Sequence, residues 1–177
     1  FSLMLLIVAG RANDSMNPLP EEILKSIKLV FDKYKKIQSK IEFAKNTTIT
    51  PALLPKEWRE KELYKTFAPC SFPYCLGISA DGKVAPCDGL FDYSEMVVGN
   101  IREKSLADMW KKSSLLKEIR KVDPSDLKGV CKKCIYKEYC GGGCRAFAYI
   151  KYKNFTMPDP VCQSVYESGL FPKDCLK

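Results

Sequence analysis

The stretch CKKCIYKEYCGGGC, residues 131–144, places four cysteines at the spacing C-x2-C-x5-C-x3-C. Cysteines two or three residues apart on a turn can direct both sulfur atoms toward one metal ion or cluster without stretching the backbone. Three consecutive glycines precede the last cysteine, and glycine adopts backbone conformations that are closed to other residues. Flanking lysine and arginine side chains favour thiolate over thiol. The stretch therefore indicates a site for an anionic, inorganic group.

The composition of the whole chain limits the possible ligands of such a site. The 177 residues include nine cysteines and no histidine, so a metal would be held mainly by thiolates, and histidine acid–base chemistry is excluded. An odd number of cysteines at short spacings fits a reduced protein better than a disulfide framework. We therefore expect a cytoplasmic protein. The formal net charge of +8 could also indicate an anionic partner.

The first third of the chain predicts one β/α unit. The apolar run of residues 1–10 is too short to span a membrane and lacks the basic start of a secretory signal, so we expect no membrane partner. It is typical of a strand buried on both faces of a parallel sheet. A helix is predicted from Pro20, with an apolar face formed by Ile23, Ile27, Val30, Tyr34, Ile37 and Ile41. Because such a unit cannot bury its own faces, we expect the neighbouring elements to lie upstream of Phe1.

A linker is predicted for residues 42–68, where Pro51 and Pro55 interrupt the periodicity, with a short helix near residues 58–64. We place a domain boundary there, which divides the chain into residues 1–60 and 61–177. Beyond it, Asp81-Gly82 predicts a β-hairpin that brings Cys75 close to Cys87.

A helix is predicted to begin after Ser105, because Asp108 stands where a capping box has its acidic residue. This helix would end at Asp123-Pro124. Its apolar face would consist of Leu106, Met109, Trp110, Leu116 and Ile119.

Three alternatives compete for the cysteines. Cys131, Cys134, Cys140 and Cys144 alone could form a four-thiolate zinc site, but this leaves the other cysteines of the chain unexplained. Disulfides give no reason for the triple glycine. A redox C-x-x-C is weaker still, because no obvious strand precedes Cys131.

The full cysteine series resembles the SPASM domain, found at the C-terminus of radical S-adenosylmethionine (SAM) enzymes that mature peptides and proteins. The series is Cys70-x4-Cys75, Gly82-x4-Cys87, the stretch 131–144, and then x17 to Cys162. It covers about residues 68–163, and the phrases ISADGKVAPC, GNIREKSLADMW and CGGGCRAFAY are similar to those of the family. Residues 1–13 also resemble a late strand of the partial (β/α) barrel of these enzymes, with Gly10 and Arg11 at the end that faces SAM.

The resemblance implies an α+β fold: one β/α unit from the end of the barrel, then a small cysteine-rich domain with a β-hairpin and short helices, held together by clusters. It also implies two auxiliary [4Fe-4S] clusters. The first cysteine group would be Cys70, Cys75, Cys87 and Cys144, and the second cysteine group would be Cys131, Cys134, Cys140 and Cys162. Cys175 has no counterpart in this scheme, and we expect a structural or free thiol there.

The function implied by the resemblance is electron relay or substrate positioning by the auxiliary clusters. The C-x3-C-x2-C motif that cleaves SAM in the family does not occur in the sequence, so the chain alone should be inactive. SAM and a third [4Fe-4S] cluster would belong to the full-length parent. The expected partners are an upstream barrel, a peptide or protein substrate, and an electron donor such as a flavodoxin or ferredoxin.

The alternative from another class is a cysteine-rich zinc module that binds nucleic acid. Aromatic residues able to stack on bases alternate near the cysteines with basic residues able to contact phosphates. The aromatic residues are Tyr136, Tyr139, Phe147, Tyr149, Tyr152 and Phe155, and the basic residues are Lys137, Arg145, Lys151 and Lys153. We favour a small core under a basic surface and do not expect a nucleic acid partner.

Overall fold

The computed structural model describes residues 3–37, 40, 48–61, 67, 69–72 and 74–177. The helices in this part of the chain are α1 (Pro20–Ile37), α2 (Lys56–Lys61), α3 (Leu106–Lys112), α4 (Ser114–Ile119), α5 (Gly129–Lys133), α6 (Lys137–Cys140), α7 (Arg145–Tyr152) and α8 (Pro160–Glu167). The strands are β1 (Gly77–Ile78), β2 (Lys83–Ala85) and β3 (Gly99–Asn100). The mixed α+β character predicted from the sequence is confirmed.

The three strands form one small antiparallel sheet in the order β1-β2-β3. The predicted hairpin is confirmed: Gly77 pairs with Ala85, and Gly82 in the turn has a φ of +87°, which favours glycine. Strand β3 pairs with the other edge of β2, so that Val84 faces Gly99 and is fully buried. The sequence does not predict β3, because a strand of two residues has no periodicity.

The N-terminal β/α unit is present only as its helix. Helix α1 begins at Pro20 as predicted and buries Ile23, Ile27 and Phe31. Residues 3–9 form no strand, because no strand among the described residues pairs with them. They lie across the molecule instead, and the backbone N–H of Leu5 donates to Thr48 Oγ1 at 2.9 Å.

The predicted apolar face of α1 needs one correction. Ile37, at the end of the helix, is 41% exposed, whereas Phe31 is buried. The helix packs against α8, and its last turn contacts Trp58 through Tyr34 but leaves Ile37 exposed. Ile41 lies outside the described residues.

The segment predicted to be a linker belongs to the core. Residues 49–54 are buried, and Trp58 in α2 packs its ring 5.0 Å from that of Phe31 and 5.5 Å from that of Tyr34. The prolines that interrupt the periodicity therefore belong to a buried segment that is irregular in structure. Helix α2 confirms the predicted short helix from residue 58 to 61, and the remainder of that prediction, residues 62–64, lies outside the described residues. The division of the chain at residue 60 stays a prediction.

The helix predicted after Ser105 is two helices. Ser105 caps α3 by accepting the N–H of Asp108 at 3.1 Å, as expected. A second cap follows at Ser113, whose hydroxyl accepts the N–H of Leu116 at 3.3 Å, and the chain turns there into α4. This turn leaves Leu106 exposed, contrary to prediction, while Met109, Leu116 and Ile119 are buried.

Two hydrophobic cores organise the described part of the chain, and each contains cysteines. One core joins α1, the segment 49–58, α5 and α8. The other contains side chains of α7 and of residues that flank the hairpin along the chain, such as Phe72 and Leu90. We call them the α1–α8 core and the hairpin core. The cysteines are thus divided between two adjacent interiors.

Candidate metal-binding site

The second cysteine group lies around one cavity in the α1–α8 core. Cys131 is in α5, Cys134 ends that helix, Cys140 ends α6, and Cys162 is in the first turn of α8. All four are buried and line the same cavity. Three different helices therefore deliver four sulfur atoms to one place.

The polar groups of this cavity contact the sulfur atoms directly. Thr50 Oγ1 lies 2.9 Å from Cys162 Sγ, and the backbone N–H of Tyr136 donates to Cys134 Sγ at 3.4 Å. The cavity volume is about 20 Å³, the space of one water molecule. The four thiols would therefore have to turn outward around any larger inorganic group.

The first cysteine group lies in and around the hairpin core. Cys144 is buried there at the start of α7, and its Sγ accepts the N–H of Phe147 at 3.4 Å. Cys70 and Cys87 pack against the same core, and both interact electrostatically with Cys144. Cys75 interacts with Cys70 and donates to the carbonyl of Pro86 at 3.5 Å, which places it beside Cys87. The structure therefore brings Cys75 into contact with the residue that precedes Cys87.

The triple glycine joins the two groups. Gly141, Gly142 and Gly143 all have positive φ, between +61° and +81°. A Cβ at Gly142 would lie 2.8 Å from the guanidinium of Arg145, and one at Gly143 would lie 2.6 Å from Oδ2 of Asp159. Glycine is therefore required by conformation and, at the last two positions, also by space.

Two buried charged side chains stand between the cysteine groups. The Arg145 guanidinium donates to the carbonyls of Phe155 at 2.8 Å, Met157 at 2.6 Å and Gly142. The Asp159 carboxylate accepts the N–H groups of Val161 at 3.1 Å and Cys162 at 3.0 Å. Burial raises the pKa of Asp159, whereas these bonds, an N–H bond from Cys144 and the charge of Arg145 lower it.

Burial dominates the acidity of the thiols. It raises the pKa of Cys131 and Cys144 to about 11 and that of Cys87 to about 12. The pKa values of Cys140 and Cys162, which are more deeply enclosed, are raised further. Because a thiol loses its proton when it binds a metal, loading of these sites must release protons.

Cys175 lies beside the second group without lining its cavity. Its thiol is fully buried and accepts a hydrogen bond from the Arg59 guanidinium, which also pairs with Asp174 at 3.2 Å. The carbonyl of Cys175 accepts the N–H of Ile135 at 2.9 Å, and Leu176 forms a bridge with Cys134. Residues 174–176 therefore cover the segment that carries Cys134.

The other predicted site residues are placed elsewhere. Gly10 and Arg11 form an exposed turn, and neither lines the cavity of the second group. Among the described residues, no three Cys, Asp or Glu side chains converge closely enough for a single metal ion.

None of the helices in the described part of the chain has the length and hydrophobicity that a membrane crossing needs.

Three of the ten residues of the surface proposed for nucleic acid lie in the interior. Phe147, Tyr149 and Arg145 are all buried, and the Arg145 guanidinium is taken up by backbone carbonyls. The alternation of aromatic and basic residues therefore reflects the two faces of α7 and the loop that follows it.

Sequence reasoning missed Asp159, Thr50 and Arg59. A signal existed for Asp159, because aspartate before a proline is typical of a helix cap and Cys162 follows three residues later. Thr50 and Arg59 carry no local signal, since each meets its cysteine from more than a hundred positions away: 112 for Thr50 and 116 for Arg59.

Comparisons with known proteins agree with the cysteine pattern. Residues 70–135 match the SPASM family model, described as an iron-sulfur cluster-binding domain. The chain is 37% identical over 101 residues to the AdoMet-dependent heme synthase of Methanosarcina barkeri, covering 54% of this chain and 26% of the relative. It is 33% identical over 88 residues to the PqqA peptide cyclase of Xanthomonas oryzae pv. oryzae, covering 50% of this chain and 23% of the relative.

A solved structure shares the fold over most of the chain. It is described as a histidine-tagged anSMEcpe with bound AdoMet, with a TM-score of 0.58 and 21% identity, covering 91% of this chain and 41% of that one. The chain thus spans well under half the length of the proteins that it matches. The family match includes Cys70, Cys75, Cys87, Cys131 and Cys134 and ends before the last three cysteines of the two groups. Residues 70–135 of this chain are therefore similar to the SPASM iron-sulfur cluster-binding domain, and the resemblance seen in the cysteine spacing is confirmed.

Proposed function

We propose that this chain is the auxiliary-cluster part of a radical SAM enzyme that modifies a peptide or protein, and that it holds two [4Fe-4S] clusters. One cluster would be bound by the first cysteine group and the other by the second. The observation that supports the proposal is the placement of the second cysteine group around one cavity, with Cys70, Cys87 and Cys144 in or against the other core. Bound clusters of this kind supply one-electron chemistry.

The donor set fits such a group. Each set offers four thiolates, the number that a [4Fe-4S] cluster takes from a protein. The positive φ of Gly141 to Gly143 lets the chain pass from Cys140 of one set to Cys144 of the other within four residues. N–H groups of Tyr136 and Phe147 already point at Cys134 and Cys144, and hydrogen bonds to the sulfur atoms tune the potential of a cluster.

The roles of these residues follow from their number. Four protein ligands in each set leave no iron open, which favours electron relay over direct binding of the substrate to a cluster. Burial of the second group by Thr50, Phe171 and α8 keeps water from the sulfur atoms. The chain's residues would thus hold, orient and insulate the clusters.

The remaining parts of the proposal concern the whole protein. The relative named PqqA peptide cyclase supports a peptide substrate, and the solved structure described with AdoMet supports a parent that uses SAM through an upstream barrel. Gly10 and Arg11 would face SAM there, and a flavodoxin or ferredoxin would supply electrons. The comparisons give no support to a zinc module that binds nucleic acid.

Metal analysis of the anaerobically purified protein tests the proposal. We expect about eight irons and about eight sulfides per chain, from two four-iron clusters. Cys134→Ala and Cys144→Ala should each remove one cluster, with different losses in the EPR spectrum. Cys175→Ala, a matched change of a buried cysteine outside both groups, should keep both. Zinc without sulfide, or identical spectral losses from Cys134→Ala and Cys144→Ala, would contradict the proposal.

A further inference from the structure

We propose that Asp159 is a positioning residue shared by the two cysteine groups, with Arg145 as its counter-charge. Its carboxylate holds the backbone of Cys162 in the second group and lies against the loop that leads to Cys144 in the first, so a change at this position should alter both clusters at once. This inference rests on the proposed function.

The contacts of Asp159 reach both groups. Oδ1 accepts the N–H of Cys162, a member of the second group, at 3.0 Å. Oδ2 lies against the backbone next to Cys144, a member of the first group, because a Cβ on the preceding residue, Gly143, would lie 2.6 Å from it. Only one short side chain therefore separates the backbones that carry these two sulfur atoms.

Asp159 also fixes the loop between the groups. A Cβ at Gly143 would lie 2.6 Å from Oδ2, so the carboxylate fills the space that a side chain would need. The glycine loop cannot shift toward α8 without meeting it. The distance between Cys144 and Cys162 is therefore set by Asp159 from both sides.

Arg145 balances the charge at the same place. Its guanidinium holds Gly142, Phe155 and Met157 through their carbonyls. Its positive charge acts on Cys70 and Cys144 of the first group and on Cys131 of the second. The buried Arg145 cation and the buried Asp159 anion thus both lie near the two sets of thiols, where their charges would act on both clusters.

Helix capping alone does not explain Asp159. Serine, threonine and asparagine cap helices about as well as aspartate, and burying a carboxylate is costly unless it is paired and hydrogen-bonded. The protein keeps a carboxylate that is 2% exposed and places its second oxygen against Gly143 in the glycine loop. This second contact is the one that reaches the first cysteine group.

The test compares Asp159→Asn with Asp123→Asn. Asp123 also precedes a proline and caps a helical turn, accepting the Ser125 N–H at 2.8 Å, but it contacts no cysteine. In Asp159→Asn we expect altered EPR signals from both clusters and a positive shift of both midpoint potentials. The reason is that a nearby negative charge is lost and that one of the two carboxylate oxygens is replaced by an NH2 donor. Asp123→Asn should change neither cluster.

The outcomes separate this inference from the proposed function. Wild-type protein without two clusters would contradict the proposed function. Two clusters in the wild type, with only one or neither altered in Asp159→Asn, would overturn the inference alone. If Asp159→Asn binds less iron than the wild type, the inference requires that both clusters be depleted. Retention of about four irons per chain, which corresponds to one intact cluster, overturns it. If circular dichroism shows that this variant is unfolded, Arg145→Lys decides by the same criteria, because lysine keeps the charge but lacks the rigid, planar set of donors that holds three carbonyls.

Discussion

Replacing Gly143 with alanine should destabilise the protein more than the same change at Gly141. Both glycines have left-handed backbones, with φ of +72° and +61°, a conformation that costs an L-residue about 1–2 kcal/mol. At Gly141 no atom lies within 4 Å of the new Cβ, so this cost is the whole effect. At Gly143 the Cβ would lie 2.6 Å from Asp159 Oδ2 and 2.9 Å from Thr50 Cγ2. Overpacking of this kind adds about 1–3 kcal/mol.

We therefore expect the free energy of unfolding to fall by about 2–5 kcal/mol in Gly143→Ala and by about 1–2 kcal/mol in Gly141→Ala. In a protein of this size each kcal/mol lowers Tm by about 2–4 °C. Circular dichroism melts at one scan rate, on preparations of equal iron content, measure the difference. Gly141→Asn gives a further control, because asparagine tolerates the left-handed region better than alanine. A Tm of Gly141→Ala equal to or below that of Gly143→Ala would refute the steric reasoning.

Two further changes test contacts away from the cysteine groups. Ser105→Ala removes the hydroxyl that caps α3 and should lower the free energy of unfolding by about 1 kcal/mol. Thermal melts should show that Ser105→Thr restores most of this loss. An unchanged Tm in Ser105→Ala would contradict the cap. Asp174→Asn removes the charge that faces the buried guanidinium of Arg59 at 3.2 Å and should cost about 1–2 kcal/mol, whereas Asp32→Asn, whose exposed partner is Lys28, should leave Tm nearly unchanged. Equal Tm values for these two variants would contradict a stabilising contribution from the ion pair of Asp174 with the buried Arg59.

The sequence predicts those parts of the fold that local chemistry determines. Asp81-Gly82 requires a positive φ and gives the hairpin, and the hydroxyl of Ser105 gives the start of α3. The cysteine spacing likewise carries the resemblance to the SPASM domain, because short spacings such as C-x2-C place two ligands of one inorganic group close together.

The parts that the sequence does not predict depend on distant residues. Burial of residues 49–54 is decided by packing against α5 and α8, which a run interrupted by prolines does not reveal. The break at Ser113 replaces a helix that periodicity would continue, because a second cap competes with the helical hydrogen bonds. Which cysteine belongs to which group could not be assigned from spacing either, since Cys144 and Cys140 diverge into different cores.

The contact between Thr50 and Cys162 joins residues that are 112 positions apart, and this separation bears on biosynthesis. A ribosome adds about 5–20 residues per second, so Thr50 emerges roughly 6–22 s before its partner. Cys131, Cys134 and Cys140 likewise precede the last sulfur atom of their cavity. The cavity can close only after Cys162 has been translated, and a cluster that needs all four sulfur atoms cannot be delivered before that point.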